Sequence, residues 1–261
     1  MGANGTMKDC TFRGNTAGTH GAGCDWSGID GVIISSTFIN NTVNQQGGGL
    51  YWTGANGTVS NSFFINNTAG DVGGGLFWTG ANGTLTSSTF TGNTANFGGA
   101  INWSGTNGAI SSSNFNGKSA KSLGGAINWG SVNGAISSSN FNDNTAGTHG
   151  GAIYSYYDGI VYNSIFTRNS AKSLGGAICW RITGSMINCS FVNSKWIDQK
   201  SNGIYSNDNL TINGGMGIVD IGSSGTLSGI SIVVLNNETY YYPPNTNINF
   251  TKKNIKQDMI E

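Results

Sequence analysis

The chain has 261 residues, which is enough for one large domain or two modest ones. Charged residues make up only 9% of it, and twelve basic residues balance twelve acidic ones. Because neither sign of charge collects into a run, the sequence excludes the basic surface that a nucleic-acid partner requires. The content of 37% hydrophobic and 11% aromatic residues is typical of a folded core and not of a disordered chain.

A unit of 25 or 26 residues recurs from residue 2 to about residue 205 and reads G-G-A-I-x-W, a turn, an apolar residue, and S-x-F-x-x-N-x-A. The tryptophan column consists of Trp26, Trp52, Trp78, Trp103, Trp129 and Trp180, with Ser155 in the remaining place. The phenylalanine column consists of Phe12, Phe38, Phe64, Phe90, Phe115, Phe141, Phe166 and Phe191. The asparagine column consists of Asn15, Asn41, Asn67, Asn93, Asn144 and Asn169, and it is interrupted by Lys118 and Ser194.

Within each unit the inward residues alternate as they do in β-strands. Ile101 and Trp103 are two residues apart, and so are Ser113 and Phe115, while the repeat shows no helical i, i+3, i+4 pattern. Between Ile110 and Ser113 the parity shifts by one, which predicts a bend or bulge there. Leucine-rich and ankyrin repeats would need a helix, and a propeller blade needs about 40–45 residues, so neither architecture fits.

These patterns predict an all-β parallel β-solenoid with three short strands in each coil and positive-φ turns at Asn-Gly pairs such as Asn56-Gly57. Stacking at about 4.8 Å per coil would align identical side chains in ladders, and eight coils would form a rod about 38 Å long. We predict this solenoid over residues 1–205. For residues 206–261, whose strand-like runs include 218–221, two interpretations stay open: terminal coils that cap the core, or the start of a truncated β-sandwich, in either case with a frayed polar tail.

The first residues of the chain fall within the repeat unit and not at its beginning. Residues 2–6 match residues 54–58, so the sequence opens part-way through a coil. We therefore expect a fragment of a larger protein.

Two repeat signatures carry a resemblance to known families. The segment G-G-A-I-N-W-S-G-T-N-G-A-I-S-S-S-N-F at 98–115 and F-I-N-N-T-A at 64–69 resemble the repeats of adhesin-like surface proteins of methanogenic archaea. The paired G-G-A-I and F-x-x-N signatures also resemble the repeats of bacterial polymorphic outer-membrane proteins. The resemblance covers residues 2–205 and implies a right-handed parallel β-helix, displayed outside the cell, with a role in attachment to cells or glycans. It supplies no catalytic residues.

An enzyme is the alternative hypothesis, because right-handed β-helices also include polysaccharide lyases and glycoside hydrolases. Glycoside hydrolysis needs two carboxyl groups about 5–10 Å apart across the substrate. The carboxylates of the repeat are scattered over different columns and coils, namely Asp25, Asp30, Asp71, Asp143 and Asp158. We therefore predict a non-catalytic protein without a metal site or cofactor.

Histidines and cysteines follow the columns rather than forming a site. His20 and His149 share a column but lie five coils apart, about 24 Å, so they cannot bind one metal ion. The four cysteines, Cys10, Cys24, Cys179 and Cys189, are predicted to be free thiols in the ladders. A disulfide between Cys179 and Cys189 is the alternative.

The sequence contains neither a signal-peptide pattern nor an apolar stretch of about 18 residues that could span a membrane. From the resemblance we nevertheless expect an extracellular or cell-surface location, with cell-surface glycans or other cells as partners. We also expect self-association through unpaired coil edges. Candidate N-glycosylation sites in N-x-[ST] triplets are Asn56, Asn66, Asn82, Asn102, Asn188, Asn209, Asn237 and Asn249.

Overall fold

The computed structural model describes residues 3–182, 184–192, 204–206, 210–217, 224–235, 238–241 and 248–251, with side chains through residue 191 apart from residue 188. All regular structure in these ranges is β-strand. Strands of successive repeats pair in parallel and in register, so each repeat forms one coil of a right-handed parallel β-helix. The predicted fold class is confirmed.

Three sheets run along the rod. The Trp sheet consists of Cys24–Trp26, Leu50–Trp52, Leu76–Trp78, Ile101–Trp103, Ile127–Trp129, Ile153–Ser155, Ile178–Trp180 and Ile204–Ser206. The short sheet consists of Thr16–Ala17, Thr42–Val43, Thr68–Ala69, Thr94–Phe97, Ser119–Leu123, Thr145–Ala146 and Ser170–Ala171. The wide sheet takes two strands from each regular coil, namely Thr6–Lys8, Thr11–Arg13, Val32–Ile34, Thr37–Ile39, Thr58–Ser60, Phe63–Ile65, Thr84–Thr86, Thr89–Thr91, Ala109–Ser111, Asn114–Asn116, Gly134–Ser137, Asn140–Asn142, Gly159–Tyr162 and Ile165–Thr167, followed by Gly184–Val192. A regular coil therefore has four strand segments and not the three predicted, because its path through the wide sheet is bent.

The bend in the wide sheet explains the shifted parity. Ser112 has a φ of 49° and separates two short strands. A residue in the left-handed region reverses the alternation, so Ile110 before the bend and Phe115 after it are both buried. The bend predicted between Ile110 and Ser113 is confirmed. The Asn-Gly turns are confirmed as well, since φ is 56° at Asn56.

Aromatic rings form the centre of the core. Neighbouring Trp rings of the column have centroids 4.6–5.4 Å apart from Trp26 to Trp129, and neighbouring Phe rings lie 4.5–5.1 Å apart from Phe12 to Phe191. The coil spacing sets these distances, because one ring stands above the next. Each buried ring removes about 150–250 Å² from water, so the two stacks supply most of the hydrophobic stabilisation of a coil.

Polar ladders satisfy the backbone where the coil bends. The backbone N–H and side-chain Nδ2 of Asn41 both donate to Asn67 Oδ1, at 3.0 and 2.9 Å, and Asn67 Nδ2 donates to the Phe38 carbonyl at 2.8 Å. In the same way the Ser36 N–H donates to Ser62 Oγ at 3.2 Å. A buried backbone group without a partner would cost free energy, so inward Asn and Ser are structural residues, as predicted for the asparagines.

Strands after residue 205 add to the wide sheet. Leu210–Gly217 pairs in parallel with Gly184–Val192, and Ser224–Leu235 pairs in parallel with Leu210–Gly217. Glu238–Tyr241 and Ile248–Thr251 pair with Ser224–Leu235 in the antiparallel sense. The predicted strand at 218–221 and the polar tail from residue 252 lie outside the described residues, and a domain boundary at residue 205 stays a prediction.

Candidate functional site

The outer corner between the Trp sheet and the wide sheet is built from small residues in regular coils. The indole closes it: Trp52 Nε1 donates to the Gly54 carbonyl at 2.8 Å. The apex is an exposed asparagine with positive φ, such as Asn82 at 55°. The apex amides bond along the rod, since Asn82 Nδ2 donates to Asn56 Oδ1 at 3.0 Å. Regular corners thus present an edge of hydrogen-bonded amides, with the Asp30 carboxylate in the place of one amide.

Ser155 replaces the tryptophan in one coil and keeps the corner closed. Its hydroxyl donates to the Tyr157 carbonyl at 2.9 Å, which is two residues on, like the carbonyl that the indole N–H reaches in regular coils. The missing indole leaves an apolar cavity of about 10 Å³, lined by Trp129 and Trp180 among others. Gly159 also lines this cavity, and a Cβ on it would meet nothing closer than 3.5 Å. The hydrogen bond of the repeat is preserved here while the ring is lost.

Three side chains at this place, Tyr156, Tyr157 and Arg181, have no counterpart in regular corners, whereas Asp158 shares its column with Asp30. Tyr156, Tyr157, Asp158 and Arg181 together are called the Tyr corner. The Tyr156 N–H donates to the Trp129 carbonyl at 2.9 Å, and the Arg181 N–H donates to the Ser155 carbonyl at 2.8 Å. The backbone of the Tyr corner is therefore fixed to the coils on both sides.

Arg181 also orders the side chains of the Tyr corner. Its guanidinium carbon lies 4.3 Å from the centroid of the Tyr156 ring. Burial raises the pKa of Tyr154, and the positive charge of Arg181 opposes this rise. The rings of Tyr156 and Tyr157 lie 5.1 Å apart at 58° to each other, and each residue is 38% exposed. In the part of the chain that the structure describes, neither Arg181 nor Asp158 belongs to an ion pair. Two exposed aromatic rings thus lie next to the Arg181 guanidinium, and Asp158 follows Tyr157 directly in the sequence.

In contrast to Arg181 and Asp158, the side chains of Asp143 and Arg168 form a bidentate ion pair with each other. Arg168 Nε and Nη2 donate to the two carboxylate oxygens of Asp143, both at 2.7 Å. The bonded guanidinium lowers the pKa of Asp143. Each charge is therefore neutralised by its neighbour on the next coil.

A second outer aromatic group lies on the Trp sheet near the other end of the described rod. The ring centroids of His20 and Tyr51 are 4.5 Å apart, and those of Tyr51 and Phe77 are 5.3 Å apart. Burial raises the pKa of Tyr51, and the nearby Asp25 carboxylate adds to this shift. Because these rings cover one another's faces, the group presents mainly ring edges to a ligand.

Comparison with protein families identifies three segments of the chain, residues 35–51, 138–156 and 163–179. They match the Chlamydia polymorphic membrane protein repeat. Each segment starts at a bend residue of the wide sheet and runs through the inward Phe and Asn to a strand of the Trp sheet. The polymorphic membrane protein repeat therefore corresponds to the part of the coil that builds the ladders.

The matched segments make up about a fifth of the chain. They confirm the expected resemblance to polymorphic outer-membrane proteins, while the resemblance to archaeal adhesin-like proteins stays a prediction. Comparison with curated proteins and with solved structures gives no match.

The carboxylates considered for catalysis are distributed along the rod. Asp25 lies on the outer face of the Trp sheet, and Asp143 lies at a bend of the wide sheet in its ion pair. Asp30 and Asp158 fall in the same corner column but five coils apart, about 24 Å at the strand spacing. This separation exceeds the roughly 10 Å that an acid and base pair of a glycosidase allows. Asp71 is exposed, and its carbonyl accepts backbone N–H groups of the next coil.

The histidines lie in one column, as predicted. His20 forms a parallel bridge with Gln46, and His149 forms one with Leu123 further along the same column. Among the described residues no group of three His, Cys, Asp or Glu side chains is placed to hold a metal ion.

The cysteines are free thiols, as predicted, and the alternative disulfide between Cys179 and Cys189 is not formed. Burial raises the pKa of Cys179 to about 12 and those of Cys24 and Cys189 to about 11. These thiols stay protonated at neutral pH and are poor nucleophiles.

The candidate glycosylation sites differ in accessibility. Asn56, Asn66 and Asn82 are exposed, whereas Asn102 is only 5% exposed, so its amide is not accessible in the folded coil. The side chains of Asn188 and Asn249, and the whole of Asn209 and Asn237, lie outside the described residues. Glycosylation of the accessible sites stays a prediction.

Proposed function

We propose that this chain is a non-catalytic attachment module, displayed at the cell surface, whose outer faces bind glycans or other cells. The division of the coil carries the proposal. Trp, Phe, Ser and Asn columns point inward and build the rod, whereas the outward position of the Trp-sheet strands varies from coil to coil, as in Asp25, Tyr51 and Phe77. Variable side chains on a regular scaffold are typical of binding surfaces in repeat proteins.

The matched repeat supports a surface location, since its model is named for a polymorphic membrane protein. The structure describes no helix with the length and apolar character needed to cross a bilayer. Low charge and stacked exposed amides suit recognition of uncharged, hydroxyl-rich partners by hydrogen bonds rather than by long-range attraction.

The enzymatic alternative has no observation in its favour. Asp143 is held in its ion pair with Arg168. The corner that contains Asp158 has no second carboxylate that could act with it as an acid and base pair. The test is release of unsaturated or reducing ends from uronate polymers by the purified protein. Release that disappears in the double variant Asp143→Asn and Asp158→Asn would establish an enzyme and overturn the proposal.

Attachment itself can be measured with the fluorescently labelled, purified chain on whole cells. We expect saturable binding that decreases after mild periodate oxidation of cell-surface glycans. Protein unfolded in urea and alkylated at its cysteines before dilution serves as the control, because the alkylated side chains of Cys24, Cys179 and Cys189 no longer fit their buried positions. Absence of binding to every cell type and every immobilised glycan would contradict the proposal.

A further inference from the structure

The Tyr corner departs from the repeat in a way that the fold does not force. The corner from Ser155 to Val161 is one residue shorter than the one from Trp52 to Val59. A short corner is nevertheless compatible with a tryptophan, because Trp180 to Met186 has the same short length and Trp180 is buried. The loss of the indole and the gain of two exposed tyrosines therefore need an explanation other than coil geometry.

We propose that the Tyr corner is a binding subsite for a neutral hexose ring, an assignment that rests on the attachment function proposed above. A hexose presents an apolar C–H face and a rim of hydroxyl groups. Sites for such ligands combine aromatic surface with a few well-placed polar groups. Tyr157 supplies the aromatic surface, because Arg181 already covers one face of Tyr156.

The polar groups of the Tyr corner match a hydroxyl rim. The Arg181 guanidinium offers donors, and the Asp158 carboxylate offers acceptors, so together they can bond hydroxyls that act in both senses. Their charges cancel, and neither is neutralised by another described side chain. Because the two charges sum to zero, the Tyr corner has no net attraction for an acidic sugar, so we assign it a neutral one.

The Tyr corner is also ordered before any ligand binds. Ser155 holds the Tyr157 carbonyl, and the Arg181 guanidinium packs over the Tyr156 ring. A site whose side chains are already in place loses less conformational entropy on binding. Ser155 is thus a positioning residue for the sugar site.

The test is an array of neutral glucose-, galactose- and mannose-ended oligosaccharides beside sialylated ones, followed by titration of the best neutral ligand. We expect binding to neutral hexoses and at least a tenfold loss of affinity in Tyr157→Ala. Asp158→Asn should also weaken binding, which keeps the test decisive if the tyrosine variant folds poorly. Tyr162→Ala is the matched control, because this half-buried tyrosine lies on the wide sheet in the same coil and should bind as the wild type does.

Three results would overturn the assignment: no binding to any neutral oligosaccharide, binding to sialylated glycans alone, or unchanged affinity in both Tyr157→Ala and Asp158→Asn. Cell binding measured in parallel separates the two proposals. Variants that bind cells as the wild type does, while neutral sugars bind nowhere, would remove the sugar site and leave the attachment function standing.

Discussion

Lys118 interrupts the buried asparagine column and is the least expected residue of the interior. It is 1% exposed, and its Nζ donates to the Asn116 carbonyl at 3.1 Å. The amide chain along the column stops at Asn93 and resumes at Asn144, whose Oδ1 still accepts the Lys118 N–H at 3.2 Å. Desolvation by burial lowers the pKa of Lys118 from 10.5 to about 6, so the folded coil holds a neutral amine at pH 7.

We predict that Lys118→Asn stabilises the protein, because it restores the amide ladder and removes the penalty of burying a basic group. The folded-state pKa lies below the unfolded one, so the unfolded chain binds the extra proton between pH 10.5 and about 6. Wild-type stability therefore falls as the pH is lowered through this window and levels off below it. The gain in the variant should reach several kcal/mol near pH 6 and shrink toward pH 10.

Urea unfolding followed by Trp fluorescence at several pH values measures this gain. Lys121→Asn is the control, since Lys121 is exposed in the same coil and its loss should leave the unfolding free energy nearly unchanged. A variant Lys118→Asn that is less stable than the wild type at pH 7 would show that the interpretation of this site is wrong.

The buried asparagines of the column should stabilise the fold, whereas Lys118 in the same column destabilises it. Asn67→Ala removes the acceptor of two Asn41 N–H groups and the donor to the Phe38 carbonyl, all of them buried. Groups left without partners cost about 1–3 kcal/mol each, so the three groups together predict a loss of at least about 3 kcal/mol in unfolding free energy. Asn44→Ala, at an exposed position of the same repeat, should change it by less than about 0.5 kcal/mol. Equal effects of the two variants would contradict a structural ladder.

At the scale of the coil, the sequence allowed the columns, the bend and the Asn-Gly turns to be predicted, because each has a local signal. Alternation identified Ile101 and Trp103, and the parity shift located the bend near Ser112. The fourth strand segment could not be predicted, because a bend within one strand and a break between two strands produce the same shift in the alternation of inward residues. Both segments belong to one wide sheet because each pairs with the equivalent segment of the adjacent coils. The repeat period alone does not reveal this pairing.

The glycine at the end of each corner packs against the indole of the same coil. At Gly57 a Cβ would overlap the Trp52 ring, whereas at Gly159, where the ring is missing, it meets nothing closer than 3.5 Å. We predict that Gly57→Ala destabilises the protein by about 1–3 kcal/mol through overpacking. Gly159→Ala is the matched variant and should be neutral or slightly stabilising. Thermal unfolding of the pair decides this, and an equally harmful Gly159→Ala would contradict the open space at that coil.

The gap in the Trp stack gives a second prediction for this element. Ser155→Trp should place an indole between Trp129 and Trp180, with its N–H donating to the Tyr157 carbonyl in place of the Ser155 hydroxyl. Additional ring stacking should raise the unfolding free energy by about 1–2 kcal/mol. Ser155→Ala, which keeps the gap and loses the hydrogen bond, should be less stable than the wild type. A Ser155→Trp variant that unfolds below the wild-type temperature would show that the gap is collapsed.

At the scale of the whole molecule, the rod could be predicted from sequence and the Tyr corner could not. Ser155 interrupts the tryptophan column, and this interruption was the sequence feature that pointed to an unusual coil at this place. The contact of Arg181 with Tyr156 joins two coils 25 residues apart, so no local pattern contains it. Self-association through coil edges also concerns the whole rod, and it stays a prediction that sedimentation at high concentration can check.

Adhesion under force tests the central claim most directly, because an attachment module on a stiff rod must resist detachment. Beads coated with the purified chain would be allowed to settle on living cells in a flow chamber, and shear would then be raised in steps. We predict that these beads stay attached at shear that removes beads coated with the same chain after it has been unfolded in urea and alkylated at its cysteines. Periodate oxidation of the cells should abolish the difference. Detachment of both kinds of bead at the same shear, on every cell type, would contradict the attachment function.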